Sequence, residues 1–332
     1  MTGLPRAAPA RPHVRLARAG SALQRQGALV ALAAVCAFGA VRYPEFLTPE
    51  NLLNVLRQNS MLGVVALGMT FVVLTGGIDL SVGSLVALSG VVAGAASAHG
   101  SLAAAAAGIG AATVLGAVNG LVVTRARIQP FVVTLAMMIA ARGAVLAATK
   151  EDSVPLAAGA AALAWLGRGR LVGVPVPVFV LALVYLVGWA TLRATRFGRY
   201  VYAVGDSEDA ARLLGLSVDR VVVGTYALSG ALAGLAGLVL AARLAAGQPV
   251  AGAGWELDAI AAVVVGGTLL TGGQGGAGAT LVGVLLLGVI FNLFNLEGTI
   301  SPWWQWVLRG GFLLCVVLVQ ARLQGRTKTT SG

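Results

Sequence analysis

Charge is scarce in this chain. Only 11% of its 332 residues are Asp, Glu, Lys or Arg, against 58% apolar residues, and mean hydropathy is +0.89. A soluble domain carries nearer one quarter charged residues, so that class is excluded. Lysine is scarcer still, with Lys150 and Lys328 alone. Each follows a Thr, whereas a P-loop needs Gly directly before its Lys to bring backbone and ammonium to the phosphates. The chain therefore supplies no P-loop. Histidine is limited to His13 and His99, in a tail and a loop, which leaves no Ser-His-Asp hydrolase. With Cys36 and Cys315 in apolar runs, neither a metal cluster nor a disulfide framework is expected, and both thiols read as small buried hydrophobes.

What fills the sequence instead is long apolar runs. A spanning helix needs about 20 mostly apolar residues. Ten candidates fall near 27–43, 59–75, 80–98, 102–123, 130–149, 174–192, 221–244, 256–271, 278–296 and 304–321. The third, eighth and ninth read equally well as half-helices or re-entrant segments. The first is read as a retained helix rather than a cleaved signal. The fold class is thus all-α: a polytopic transmembrane bundle of about ten spans, some broken. It divides into a basic tail over 1–26, a membrane domain over 27–322 and a second tail over 323–332.

The formal charge of +11 is not a nucleic-acid surface, because no soluble domain exists to carry one. Fifteen of the 23 basic residues sit in four clusters: Arg6 to Arg25, Arg125 with Arg127, Arg193 to Arg220, and Arg322 to Lys328. Ten passes put all four clusters and both termini on one side, which the positive-inside rule makes cytoplasmic.

Asp79 is the only charge between Met61 and Ala98. It follows Leu74-Thr75-Gly76-Gly77-Ile78 and precedes Leu80-Ser81-Val82-Gly83. Such glycines break a helix, and broken backbone at membrane depth survives only when buried in protein or lining a cavity. A carboxylate there faces the interior or a watery path. The pattern returns 196 residues later as Leu270-Thr271-Gly272-Gly273, with Thr280-Leu-Val matching Ser84-Leu-Val and Gly275 where Asp79 stood. Chance and a structural repeat are both open for this echo. Thr75, Gly76, Gly77, Asp79, Ser81, Thr271, Gly272 and Gly273 are the candidate lining of a substrate pathway.

The basic loop over 193–220 contains Ser207-Glu208-Asp209-Ala210-Ala211-Arg212-Leu213-Leu214-Gly215. Ser207 suits an N-cap, Glu208 and Asp209 the positive helix start, and Gly215 the stop. Ala210, Leu213 and Leu214 form an apolar face, fit for a partner's groove or for the bilayer surface. Arg142 and Arg309 lie inside apolar runs, and either is a candidate partner for Asp79. Glu256 and Asp258 open a helix and complement its dipole, with substrate contact as the alternative. Trp303, Trp304 and Trp306 suit an interfacial belt better than a stacking platform for a ligand. Gly90/Gly94, Gly116/Gly120 and Gly230/Gly234 have the spacing that lets helices approach closely.

The chain resembles the permease subunits of ribose/galactose-type ABC monosaccharide importers. The resemblance is carried by Gly68-Met-Thr-Phe-Val-Val-Leu-Thr-Gly-Gly-Ile-Asp-Leu-Ser-Val-Gly-Ser84, by Ile128-Gln-Pro-Phe-Val-Val-Thr-Leu135, by the loop from Gly205 to Gly215, and by Glu256 through Gly273. It covers roughly residues 27 to 322. The stretch from Phe294 through Trp304 is most similar to galactofuranose-importer permeases. The resemblance implies that the chain is not an enzyme and holds no cofactor, with Mg-ATP bound by a separate cytoplasmic ABC ATPase. The helix at 207–214 is then the ATPase-coupling helix. A periplasmic sugar-binding protein delivers substrate, and a second permease chain, the same or different, completes the pathway in the inner membrane. The rivals are a branched-chain amino-acid-type permease, an ion-coupled secondary transporter using Asp79, and a membrane enzyme acting on lipid-linked sugars.

Overall fold

A computed structural model describes residues 12–299 and, beyond them, 301, 303, 304, 307, 308, 310, 311 and 314, with side chains from residue 27 onward. Helix α1 (Pro12–Arg42) runs through the residues expected as a tail and into the first apolar run without a break. Helix α2 (Pro49–Leu74) starts ten residues before the run that predicts it. Its N-cap is Thr48, whose hydroxyl accepts from Asn51 N, and Pro49 sits in the first turn where a missing N–H costs nothing. From Ser60 to Leu74 every residue of α2 is buried, so it is the central helix.

A break over 75–81 leads into α3 (Val82–Ala96). Helices α4 (Ser101–Ala126) and α5 (Pro130–Thr149) follow. Short α6 (Ala161–Arg168), α7 (Val176–Ala194), α8 (Arg196–Asp206) and α9 (Glu208–Leu213) come next. The chain continues through α10 (Val218–Leu244), α11 (Trp255–Val265) and α12 (Ala277–Glu297). Two-residue ladders join Val154–Pro155 to Ala246–Gly247 and Arg170–Leu171 to Val174–Pro175.

Among the described residues, seven helical segments are long and apolar enough to cross a membrane. They match seven of the ten expected runs. Of the other three, Gly27–Arg42 is a shorter apolar helix. The run at 256–271 yields only the 11 residues of α11, because Gly266 and Gly267 end it. Most of 304–321 lies outside the described residues.

Packing centres on α10, which lies most extensively against α4 and then against α2 and α3. Small residues make this possible. A Cβ on Gly116 would stand 3.0 Å from Gly230 Cα, one on Gly120 2.7 Å from Val223 Cα, and one on Gly234 2.9 Å from Ile109 Cα. Ser89 on α3 adds a tie from a third helix, donating to the Gly234 carbonyl of α10 at 2.7 Å. In lipid no hydrophobic drive separates protein from solvent, so close backbone approach and interhelical hydrogen bonds supply the association. These glycines therefore spend their spacing on contacts within the chain.

Candidate functional site

Two arrangements occupy the break after α2. The first is a polar knot around Asp79, whose residue has no exposed surface. One carboxylate oxygen accepts from Ser81 N at 3.0 Å and Ser81 Oγ at 2.6 Å, and the other accepts from Ser229 Oγ on α10 at 2.8 Å. Asn119 on α4 donates to Ser81 Oγ at 3.0 Å. The neighbouring Ile78 carbonyl accepts from Tyr226 Oη at 3.2 Å and Thr134 Oγ1 at 3.3 Å. The unwound backbone is thus answered by hydroxyls and an amide from α4, α5 and α10, as broken helix in a membrane interior demands.

The arginine expected beside Asp79 is not there. Arg142 instead donates to the Pro249 and Ala251 carbonyls at 2.6 and 2.8 Å, fastening α5 to the connection after α10. It is also attracted by Glu256, whose carboxylate folds over Gly83 at the start of α3. The pairing fails because Arg142 stands more than two turns into α5, level with the loop before α11, whereas Asp79 is reached by the first turns of that helix through Thr134. Arg309 lies outside the described residues.

The second arrangement lies one turn away, where the two Leu-Thr-Gly-Gly segments meet. Gly273 N donates to the Leu74 carbonyl at 3.0 Å. A Cβ on Gly76 would rest 3.5 Å from the Thr271 carbonyl, and one on Gly272 2.9 Å from Gly76 N and 3.0 Å from Gly205 Cα. Positive φ at Gly76, Gly272 and Gly273 reserves these positions for glycine. Of the expected pathway residues, Thr75, Gly76, Thr271, Gly272 and Gly273 therefore gather at this junction. Asp79 and Ser81 lie in the polar knot, and Gly77 packs between, under Tyr226 Oη. The hydroxyls of Thr70 on α2 and Thr280 on α12 touch at 2.7 Å, also fully buried.

The loop over 193–220 folds as two helices. Thr195 caps α8, accepting from Gly198 N at 3.1 Å, and Ser207 caps α9, accepting from Ala210 N at 3.2 Å. Gly215 ends the turn with φ of 78°. Arg212 ties α9 down, bonding Glu208 at 2.9 Å and Asp219 on α10 at 2.6 Å. Both carboxylates in turn raise its pKa above the ordinary arginine value, Asp219 the more strongly. Asp209 and Ala210 are exposed, and Leu213 and Leu214 stand 89% and 80% exposed. Ala210, Leu213 and Leu214 thus share one outward face, as expected, and Ala211 packs inward.

Sequence reasoning missed Ser229, Tyr226, Asn119 and the whole of α8. The first three had a signal: each is a polar group inside an apolar run, which marks a functional position by default. Trp303 and Trp304 are exposed, whereas Trp306 and Cys315 lie outside the described residues.

A central helix broken around a buried carboxylate, inside a bundle of apolar helices with a capped helix held outside it, is the build of a membrane permease. The chain belongs to the family described as "Branched-chain amino acid transport system / permease component", which matches residues 51–317. It is 44% identical to the ribose import permease protein of Escherichia coli (strain K12), over 91% of this chain and 95% of that one. It is 41% identical to the ribose import permease protein of Bacillus subtilis (strain 168), over 90% and 94%. It is 36% identical to the L-arabinose ABC transporter permease protein of Azospirillum brasilense, over 89% and 87%. No solved structure matches significantly. The chain is a multi-pass inner-membrane protein and a transport permease component.

Proposed function

We infer that this chain is the membrane subunit of an ATP-driven importer that moves a monosaccharide inward, and that a pentose is the first sugar to test. The observation that carries the ATPase half of the reading is α9. It presents Leu213 and Leu214 outward on a helix braced by Arg212, where a partner's groove can take them. The names of the ribose and arabinose relatives carry the sugar half. Galactofuranose, expected from the stretch Phe294 to Trp304, finds no support in those names.

In this reading Mg-ATP binds a separate cytoplasmic ATPase, a periplasmic sugar-binding protein delivers the substrate, and a second permease chain completes the path. Both termini and α9 face the cytoplasm. Asp79 braces the break rather than binding an ion, since Ser81 and Ser229 already occupy both its oxygens.

The test is uptake by the complex reconstituted in liposomes with its ATPase and binding protein. Labelled ribose is expected to accumulate with ATP and to ignore proton and sodium ionophores. Uptake abolished by an uncoupler at constant ATP would sink this reading. Uptake of leucine in place of ribose would return the chain to the solute named in its family's description.

A further inference from the structure

The helix α8 touches both broken segments at once. Gly205, one residue before its end, leaves no room for a side chain. A Cβ there would overlap the Leu74 carbonyl oxygen and stand 2.5 Å from Gly273 N. Those are the two atoms that hydrogen-bond the breaks to each other. Three residues earlier, Tyr202 Oη donates to the Gly275 carbonyl at 3.0 Å, just before α12 begins. At the other end of α8, Phe197 stacks on Phe71 of α2, ring centres 6.3 Å apart and planes 21° apart. From Asp206 the chain enters α9 with only Ser207 between.

We propose that α8 is the transmission element of this permease, with Gly205 and Tyr202 as positioning residues that carry displacement of α9 into both Leu-Thr-Gly-Gly breaks together. The proposal rests on the importer reading for the source of the displacement, but its content lies elsewhere. A helix docked on an ATPase could in principle act on α10 alone, through Arg212 and Asp219. The geometry gives a second route. α8 has a main-chain contact at the end of α2, another in the loop after α11, and a hydrogen bond at the foot of α12. The breaks are already bonded to each other, so a shift of α8 moves them as one unit. Each break begins a helix, α3 or α12, and α3 holds Ser81 and the Asp79 knot at its start. Motion at Gly205 therefore reaches the buried carboxylate across about six residues of broken chain, without passing through α10.

The experiment places one spin label at Val114→Cys on α4, outside the joined breaks, and the second at Thr75→Cys or, in a parallel preparation, at Thr271→Cys, in a chain whose Cys36 and Cys315 are replaced, assembled with its ATPase. The distance between labels is read with and without ATP and vanadate. Nucleotide is expected to shift it in the otherwise unaltered complex. Tyr202→Phe, which keeps the ring and removes the hydroxyl that bonds Gly275, is expected to cut the fraction of molecules that shift by at least about twofold while the ATPase still co-purifies in equal amount. Gly205→Ala is expected to abolish it. If Gly205→Ala fails to accumulate, Tyr202→Phe decides alone, because its packing is unchanged. No shift in the unaltered complex, an equal shift in Tyr202→Phe, or loss of the ATPase from Tyr202→Phe each overturns the proposal. Failure of the unaltered permease to bind any ATPase overturns the importer reading instead, and is seen separately at the purification step.

Discussion

Asp79 shows what a single carboxylate does in this interior. It has no cation partner among the described residues, and hydroxyls with a backbone N–H surround it instead. Removing the carboxylate strands those donors where no water competes for them, at about 1–3 kcal/mol for a buried group left unpaired. Asp79→Ala is therefore expected to lower the unfolding midpoint in detergent clearly more than Asp79→Asn, whose amide oxygen still accepts. Equal midpoints for the two variants would show that the hydrogen bonds around the break do not hold it. The presence of this residue in a broken span was legible in the sequence, because one charge among so many apolar residues admits few explanations. Its partners were not. Ser229 lies 150 positions away, and a serine in a small-residue helix looks like packing until the fold brings it to the carboxylate. Gly230, its neighbour, makes the complementary point. A Cβ there would press on the Ala112 carbonyl and stand 3.1 Å from Gly116 Cα. Gly230→Ala is expected to cost about 1–3 kcal/mol through forced separation of α4 and α10, read as reduced yield and a lower midpoint.

At the scale of elements, both the caps of α9 and its apolar face were legible. Ser207, Glu208 and Gly215 fix where the helix starts and stops through local chemistry alone. The face expected from Ala210, Leu213 and Leu214 does stand exposed, and Ala211 packs inward behind it. Because Leu213 and Leu214 touch so little of their own chain, replacing both by Asp is expected to leave the unfolding midpoint within about 0.5 kcal/mol of the parent, as for other surface changes. The same variant is expected to lose its ATPase on purification. A permease that unfolds, or one that retains its ATPase in full, would contradict the assignment. In α11 the structure takes the half-helix reading of the run at 256–271, since the helix ends after 11 residues. Hydropathy did not distinguish Val265 from Gly266, whereas backbone freedom did. The Gly-Gly pair lets the chain leave the helix and reach Leu74.

At the scale of the whole molecule, the ends of the bundle differ in kind. One end carries α8, α9 and the junction of the breaks. The other carries α6, the two short ladders and Val172, which is 94% exposed. With α9 in the cytoplasm, a cysteine at Gly215 is expected to react with an impermeant maleimide only after the inner membrane is opened. One at Val172 is expected to react in intact spheroplasts. The reverse pattern would invert the topology and with it the importer's direction. This orientation is expected from the positive clusters, since Arg125, Arg193 and Arg220 sit at ends of α4, α7 and α10 that the fold brings to one side.

The junction at Gly205 has one more consequence, which concerns stiffness. A contact between side chains yields when pushed, because rotamers turn and take up several tenths of an ångström. Gly205, Leu74 and Gly273 meet through main-chain atoms, and a peptide group has no rotamer to give. The smallest residue thus makes a stiff joint here. A displacement of a fraction of an ångström that enters there leaves undiminished on the far side.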